Sequence, residues 1–278
     1  MRTVRLHNGS RVPALGQGTW RIGSDRAARA AEIAALRLGL DLGMTLIDTA
    51  EMYGDGAAEE LVGEAIAGRR EGVFLVSKVL PSNAGKAAVQ RACRASLKRL
   101  NVERIDLYLL HWRGSIALGE TIDGFEALRR DGLIGDWGVS NFDVSDMQDL
   151  VGLARPNGCL TNQVLYNLEY RGIEFDLLRY GVEQGIPIMA YSPVGQGGAL
   201  LDHPALVRLA AKHECTPACV ALAWTLRHDT IISIPKSANV AHVRENAAAL
   251  SLTLDAEDLA AIDQAFPPPR GKTPLALL

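Results

Sequence analysis

Short apolar runs alternate along the chain with amphipathic stretches of about 10 to 15 residues. The runs are rich in Val, Ile and Leu and show little polar alternation, which is typical of strands that are covered on both faces in a parallel sheet. This pattern predicts eight strands, at residues 13–17, 45–48, 73–78, 105–111, 134–140, 160–163, 187–191 and 231–234.

The stretches between these runs carry helix signals. Apolar side chains in residues 86–100 recur on one helical stripe, and Asn101 follows them as a residue that tolerates the left-handed conformation of a helix end. Asp143 precedes another amphipathic stretch and is predicted to cap its first turn. Gly39 and Gly185 are interpreted as helix terminators.

Eight strands that alternate with helices predict a (β/α)8 TIM barrel. No linker or composition shift divides the chain, so residues 1–278 are predicted to form a single domain. A doubly wound sheet is the alternative, but Gly16-Gln17-Gly18 lacks the helix-opening glycine of a dinucleotide fingerprint. The Asn8-Gly9 pair between short apolar segments predicts a tight N-terminal β-hairpin, which we expect to close the bottom of the barrel.

Composition and charge narrow the classes of function. The 29 Lys and Arg residues nearly balance the 32 Asp and Glu residues, and the net charge of −3 disfavours a nucleic-acid-binding protein. The four cysteines show no metal-ligand spacing, so we interpret them as small apolar residues and expect no metal site. Residues 1–10 lack the apolar core of a secretory signal, and no membrane span is predicted. We therefore expect a cytoplasmic protein, with a monomer as the default state.

Polar residues end the predicted strands. In a TIM barrel the active site forms at the carboxyl ends of the strands, where side chains from successive strands meet. Polar side chains in apolar strands cost free energy unless they find partners, so a set of them at one end of the barrel indicates a functional site. The residues at these ends are Gln17, Asp48, Lys78, His111, Ser140, Gln163, Tyr191 and Lys236.

Four residues in this region suggest acid–base chemistry when they are taken together. Each has a structural explanation alone, since Asp48 could cap a turn and Lys78 could extend its stem to water. Together, Asp48 would hold Lys78 charged, and the ammonium beside Tyr53 is expected to lower the pKa of that phenol from about 10. His111 could donate a hydrogen bond to a carbonyl oxygen. The set therefore predicts a proton donor aimed at an oxygen that becomes an alkoxide.

Asp48, Tyr53, Lys78 and His111 resemble the catalytic tetrad of the aldo-keto reductases. The resemblance implies NADPH-dependent reduction of an aldehyde or ketone to an alcohol, without metal or flavin. It is strongest toward bacterial members of the methylglyoxal-reductase type, which implies small or 2-oxoaldehyde substrates. The segments that carry it are GQGTW, LIDTAEMYG, LVSK, DLYLLHW, WGVSNF, TNQVLYN, AYSPVGQGG and IPKSANVAHVREN.

The same resemblance implies a role for further residues. Tyr53 would deliver the proton, and Tyr191 would stack on the nicotinamide ring. The implied substrate residues are Trp20, Tyr53, His111 and Trp112. The implied cofactor residues are Thr19, Trp20, Asp48, Ser140, Asn141, Gln163, Tyr191, Ser192, Pro193, Val194, Lys236, Ser237, Asn239, His242 and Asn246.

One position departs from the family pattern. His242 stands where the family often has Arg at the adenosine 2′-phosphate, and an imidazole is mostly neutral at pH 7 whereas a guanidinium is always charged. Lys236 and Ser237 remain in place. We therefore predict that NADPH is preferred and that NADH is tolerated better than in relatives with Arg.

Other functions stay open at this point. A class I aldolase could use Lys78 as a Schiff base, although a neighbouring Asp48 would keep the lysine charged. A nicotinamide-binding regulatory subunit of a membrane channel is a second alternative, because the same fold serves that role. A glycosidase would need two facing carboxylates, and a serine hydrolase would need a GxSxG elbow, which is absent.

Overall fold

The computed structural model describes residues 2–154 and 158–278. In this part of the chain the strands are β1 Thr3–Arg5, β2 Arg11–Pro13, β3 Gln17–Gly18, β4 Leu46–Asp48, β5 Phe74–Val79, β6 Ile105–Leu110, β7 Ile134–Ser140, β8 Cys159–Leu165, β9 Ile188–Tyr191 and β10 Ile231–Ile234. The α-helices are α1 Arg29–Asp41, α2 Ala57–Ile66, α3 Lys86–Leu100, α4 Leu118–Arg130, α5 Val144–Leu153, α6 Leu177–Gln184, α7 Pro204–Lys212, α8 Pro217–Thr225, α9 Val240–Ala248 and α10 Ala256–Ala265. None of the helices described is long and apolar enough to cross a membrane.

Strands β3 to β10 form one parallel sheet in which each strand pairs with the next one along the chain. Parallel bridges between Leu15 and Ser233 and between Gly18 and Lys236 join the two edges of this sheet. The Gly16 N–H donates to the Ser233 carbonyl at 2.8 Å across the same seam. The sheet is therefore a nearly closed barrel. The TIM-barrel prediction is confirmed, and the doubly wound alternative, which needs an open sheet, is wrong.

The predicted bounds of the first strand are wrong. The prediction was residues 13–17, but the regular strand covers only Gln17–Gly18. The preceding residues cross the seam of the barrel, where Leu15 makes an isolated bridge instead of a continuous ladder. The prediction at residues 160–163 was too short, since β8 extends in both directions to Cys159–Leu165.

Apolar side chains cover both faces of the barrel wall. Leu46 and Val76 belong to a cluster with other inward-facing residues of the barrel, whereas their neighbours Ile47 and Leu75 pack with the surrounding helices. All four side chains are fully buried. Burial on both faces explains why these strands read as continuous apolar runs.

The N-terminal hairpin closes the amino end of the barrel, as predicted. β1 pairs with β2 in antiparallel register, and Gly9 between them has φ +87°, in the left-handed region that favours glycine. Val4, Leu6 and Val12 are buried in the same cluster as the inward-facing residues of the barrel. The carboxyl ends of the strands are left open on the opposite side.

Local helix signals are mostly confirmed. α3 begins at Lys86 and ends at Leu100, and Asn101 has the left-handed conformation with φ +52°. The Asp143 side chain takes part in a capping box at the start of α5. Gly185 caps the end of α6 with φ +66°.

Gly39 is not a helix terminator, because it lies inside α1. A Cβ atom at this position would overlap the side-chain amide of Gln17. That amide is buried and donates hydrogen bonds to the Leu36 carbonyl at 3.2 Å and the Met44 carbonyl at 3.0 Å. Gln17 therefore anchors α1 to the barrel. It does not contribute to a functional site at its strand end.

Candidate active site

A cleft of about 960 Å³ opens at the carboxyl ends of the barrel strands. All of the residues implied for cofactor and substrate line its wall, and Lys78 is buried beneath it. The walls of the cleft contain Thr19, Trp20, Asp48, Tyr53, His111, Trp112, Ser140, Asn141, Gln163, Tyr191, Ser192, Pro193, Val194, Lys236, Ser237, Asn239, His242 and Asn246. The structure thus brings together every residue implied for catalysis, cofactor and substrate, whereas Gln17, which also ends a predicted strand, lies outside the cleft.

Lys78 is the centre of the polar contacts at the floor of the cleft. Its Nζ donates hydrogen bonds to Asp48 Oδ2 at 2.8 Å, to the Thr49 carbonyl at 2.9 Å and to the Tyr53 hydroxyl at 3.1 Å. The side chains of Lys78 and Asp48 are 0% and 3% exposed. A buried ammonium that donates to a phenol oxygen fixes the position of the hydroxyl and favours its phenolate form.

Local backbone structure places these three groups. Asp48 is the last residue of β4, and Lys78 lies on the neighbouring strand β5. Tyr53 begins a short 3-10 turn at Tyr53–Gly56, in which Gly54, Asp55 and Gly56 all have positive φ values of 58°, 52° and 95°. This tight turn brings the Tyr53 ring back over the end of β5.

For Lys78 and for Tyr53 alike, burial and the neighbouring polar groups shift the pKa in opposite directions. Burial works against the charged form of Lys78, but the Asp48 carboxylate and the Tyr53 hydroxyl outweigh it and raise the pKa of the lysine. Burial also raises the pKa of Tyr53, and the Lys78 ammonium only partly opposes that rise. The expected net lowering of the pKa of Tyr53 is therefore wrong for the protein alone. Tyr53 is a neutral phenol at physiological pH, and a neutral phenol is a proton donor.

His111 follows β6 directly and faces the Tyr53 ring edge-on, with 5.8 Å between ring centroids. Burial and the nearby Lys78 ammonium lower the pKa of His111 to about 3. Its Nδ1 atom is buried and has no hydrogen-bond partner in residues 2–154 and 158–278. A neutral imidazole beside Tyr53 can donate one hydrogen bond to a substrate oxygen without competing as an acid.

A chain of hydrogen bonds joins the floor of the cleft to its central wall. The Gln163 amide donates to Asp48 Oδ1 at 2.7 Å, and the Ser140 hydroxyl donates to the Gln163 carbonyl at 2.8 Å. Asn141 donates to the His111 carbonyl at 3.2 Å and accepts from the Tyr191 hydroxyl at 3.1 Å. Residues implied for the nicotinamide are therefore held by the same network as the four acid–base residues.

The far end of the cleft meets the first turn of α9. Asn239 caps this helix by accepting a hydrogen bond from the Ala241 N–H at 2.8 Å. Lys236 and His242 are exposed at the cleft, and Lys236 forms no ion pair within the described residues. Free helix amides and a cation together favour a bound phosphate.

Sequence reasoning missed several residues that line the cleft or support it. Thr216, Pro217 and Ala218 lie on the cleft wall at the start of α8, and Glu245 lies near its far end. The Thr-Pro pair is a helix-start signal, but its distance along the chain from the other motifs gave no reason to link it to the site. Glu51 lies within the segment LIDTAEMYG, but its carboxylate contacts the loop after β5, and the sequence carries no signal for that contact.

The barrel with this polar centre defines a family. A model of the aldo/keto reductase family matches residues 14–266, and the chain belongs to that family.

Two relatives are similar over nearly the whole chain. Methylglyoxal reductase YeaE of Escherichia coli is 52% identical over 271 residues, which cover 96% of this chain and 95% of the relative. Glyoxal reductase of Bacillus subtilis is 36% identical over 264 residues, which cover 94% and 91% of the two chains.

Solved structures give the same result. An aldo-keto reductase from Klebsiella pneumoniae, in complex with NADPH, superposes with a TM-score of 0.97 at 49% identity and covers 100% of this chain and 99% of its own. An aldo/keto reductase structure from the same organism, in complex with NADP and acetate, has a TM-score of 0.97 at 48% identity, with the same coverage of both chains.

Proposed function

We propose that this protein reduces aldehydes or ketones to alcohols, with NADPH as the source of hydride and Tyr53 as the proton donor. The observation that carries the proposal is the Lys78 ammonium at the floor of the cleft, 2.8 Å from Asp48 and 3.1 Å from the Tyr53 hydroxyl. Relatives named as reductases and neighbours in complex with NADP or NADPH support the same reaction.

Each of the four residues has a role in moving one proton. NADPH, when bound, supplies a hydride to the carbonyl carbon. Tyr53 donates its proton to the carbonyl oxygen, and the Lys78 ammonium stabilises the phenolate that remains. Asp48 holds Lys78 charged and in place. His111 is neutral and orients the carbonyl oxygen toward the Tyr53 hydroxyl.

The residues of the cleft fit the chemistry of NADPH. Ser140, Asn141 and Gln163 present hydroxyl and amide groups suited to the nicotinamide carboxamide, and Tyr191 offers an aromatic face beside them. Ser192, Pro193 and Val194 line the path expected for the pyrophosphate. The start of α9 would hold the adenosine end, through Lys236, Ser237, Asn239, His242 and Asn246.

The rim of the cleft favours a small carbonyl substrate. Trp20 and Trp112 line it together with Met52, which is 41% exposed. The Trp112 ring packs against His111 with 5.0 Å between ring centroids, which places an apolar wall beside the proposed carbonyl position. We propose 2-oxoaldehydes such as methylglyoxal as substrates, in agreement with the names of two relatives.

The ion pair disfavours an aldolase. A Schiff-base lysine must lose its proton to attack a carbonyl, but Asp48 and Tyr53 raise the pKa of Lys78.

All proposed site residues come from one copy of the chain, so we infer that a monomer is sufficient for activity. A cytoplasmic location, where NADPH is available, is part of the same proposal.

A substrate panel tests the proposed function. NADPH oxidation is followed with methylglyoxal, aromatic aldehydes, sugars and ketosteroids. The proposal expects NADPH consumption with at least one aldehyde, and the highest kcat/KM for methylglyoxal within this panel. Absence of NADPH consumption with every member, together with a borohydride-trapped adduct on Lys78, would instead support the aldolase.

A further inference from the structure

We infer that Glu51 is a positioning residue, which sets the distance between the Tyr53 hydroxyl and Lys78 Nζ by tying the Tyr53 turn to the segment after β5. The inference rests on the proposed function, since it assigns Glu51 an effect through Tyr53. The Glu51 side chain does not line the cleft and, within the described residues, forms no hydrogen bond with the side chains of the four acid–base residues; Glu51 lies between Asp48 and Tyr53 in the sequence.

The register of β4 and β5 explains why a side chain is needed here. The Phe74 N–H bonds the Thr45 carbonyl, and the Thr49 N–H bonds the Val76 carbonyl. The ladder continues past the end of β4, because the Glu51 N–H still donates to the Lys78 carbonyl at 3.3 Å. In this register the next donor is the Leu80 N–H, which falls opposite the main chain of Glu51.

The Glu51 carboxylate takes over this position of the ladder. Its Oε1 accepts from the Leu80 N–H at 2.7 Å and from the Asn83 side chain at 3.0 Å. The main chain is then free to leave the sheet, and Met52 and Tyr53 can turn back over the barrel while residue 51 stays tied to β5. Glu51 therefore bonds the segment on both sides of Val79, through its N–H at Lys78 and through its carboxylate at Leu80.

This tie adds to the packing of the Tyr53 ring against the core, and it anchors a turn whose own backbone hydrogen bonds stay within residues 50–57. Gly54 and Asp55 are exposed, and the backbone from Gly54 to Gly56 is left-handed throughout. The Tyr53 N–H bonds only the Ala50 carbonyl, inside its own loop. A shift of the turn by about 1 Å is enough to lower a rate by a large factor when it misplaces a reacting group.

Reach and charge can be separated at position 51. Both donors use one oxygen of the carboxylate, so Glu51→Gln keeps an acceptor at the same place and removes the charge. Glu51→Asp keeps the charge but shortens the side chain by one methylene and withdraws the acceptor. Glu60 serves as a matched control, because it is exposed on α2 and forms no hydrogen bond or ion pair within the described residues.

The experiment compares Glu51→Gln, Glu51→Asp and Glu51→Ala with Glu60→Ala. We expect kcat for methylglyoxal reduction to fall roughly tenfold to a hundredfold in the Asp and Ala variants, with the Gln and Glu60 variants within about twofold of wild type. The Kd for NADPH should stay within about twofold in all of them, because the cofactor residues are unchanged.

The pH dependence of alcohol oxidation supplies a readout that loss of stability alone does not move. Oxidation needs the phenolate of Tyr53, and the nearby ammonium favours that form. A longer Tyr53–Lys78 distance should therefore shift the midpoint of the oxidation profile to higher pH in Glu51→Asp and Glu51→Ala, and not in Glu51→Gln. If the Ala variant does not fold, the Asp and Gln pair decides the question.

Three results would overturn the inference. These are a wild-type kcat in Glu51→Asp, a kcat in Glu51→Gln as low as in Glu51→Asp, and a lowered kcat with an unmoved oxidation midpoint. Tyr53→Phe, measured in parallel, separates this failure from that of the proposed function. If Tyr53→Phe is inactive while Glu51→Asp is normal, only the role of Glu51 is wrong. If Tyr53→Phe keeps full activity, the proposed function itself fails.

Discussion

At the scale of single residues, the protonation states at the floor of the cleft favour carbonyl reduction. Burial raises the pKa of Tyr53, so its hydroxyl keeps the proton that reduction requires at neutral pH. Burial and Lys78 lower the pKa of His111 to about 3, so this ring stays neutral over the same range. The site therefore combines a protonated donor, the Tyr53 hydroxyl, with a neutral orienting group, the His111 ring.

His242 gives a prediction for cofactor choice. The residue is exposed at the far end of the cleft, on the first turn of α9. His242→Arg should raise the preference for NADPH over NADH, expressed as the ratio of kcat/KM values, by about tenfold, the size of one charge-assisted hydrogen bond.

Steady-state kinetics of the wild type and His242→Arg with both cofactors check this prediction. Arg244→Ala is the control, since it changes an exposed cation on the same helix that does not line the cleft. A very strong preference for NADPH in the wild type that His242→Arg does not increase would contradict the role assigned to His242.

At the scale of elements, the sequence predicted those features of the helices that depend only on consecutive residues. The apolar stripe of α3, its left-handed Asn101 and the Asp143 cap all follow from a few consecutive residues. The role of Gly39 does not, because it depends on the Gln17 amide, which is 22 positions away in sequence and reaches it only when α1 packs on the barrel. Contacts of this kind carry no local signal.

The packing of Gly39 predicts that Gly39→Ala destabilises the wild type but stabilises the Gln17→Ala variant. Gly39→Ala should destabilise the wild type by about 1–3 kcal/mol, because the new methyl group displaces a buried, hydrogen-bonded amide. In a Gln17→Ala background the space is free, and the same change should stabilise the protein by about 1 kcal/mol through helix propensity. Urea unfolding of the four proteins measures the coupling. Equal effects in both backgrounds would show that the two residues do not interact.

At the scale of the whole molecule, the hairpin that buries apolar side chains and the cleft that contains the acid–base residues lie at opposite ends of the barrel. The hairpin closes the amino end with buried apolar side chains, while the cleft is built from the carboxyl ends. This division made the site predictable from the sequence, because strand ends can be read from apolar runs. The contacts of Gln163 with Asp48 and of Glu51 with Leu80 could not be read in this way, since they depend on barrel geometry and loop shape.

The division predicts that the hairpin affects stability without affecting turnover. Leu6 is 2% exposed, so Leu6→Ala should lower the free energy of unfolding by about 2–5 kcal/mol through a cavity at the closed end. The kcat of the folded protein at 25 °C should remain at the wild-type value. Leu153→Ala, at a leucine that is 59% exposed, is the control and should change stability little. A large loss of kcat in folded Leu6→Ala would contradict the separation of the two ends.

The central claim is that the Tyr53 hydroxyl delivers the proton, and Tyr53→Phe tests it most directly, because the change removes one oxygen and little contact area. The account predicts that kcat for methylglyoxal reduction falls by about 10²–10⁴-fold, while the Kd for NADPH, measured by fluorescence titration, stays within about twofold. Tyr180→Phe on α6, outside the cleft, should behave as wild type. A Tyr53→Phe protein that retains the wild-type kcat would contradict the account.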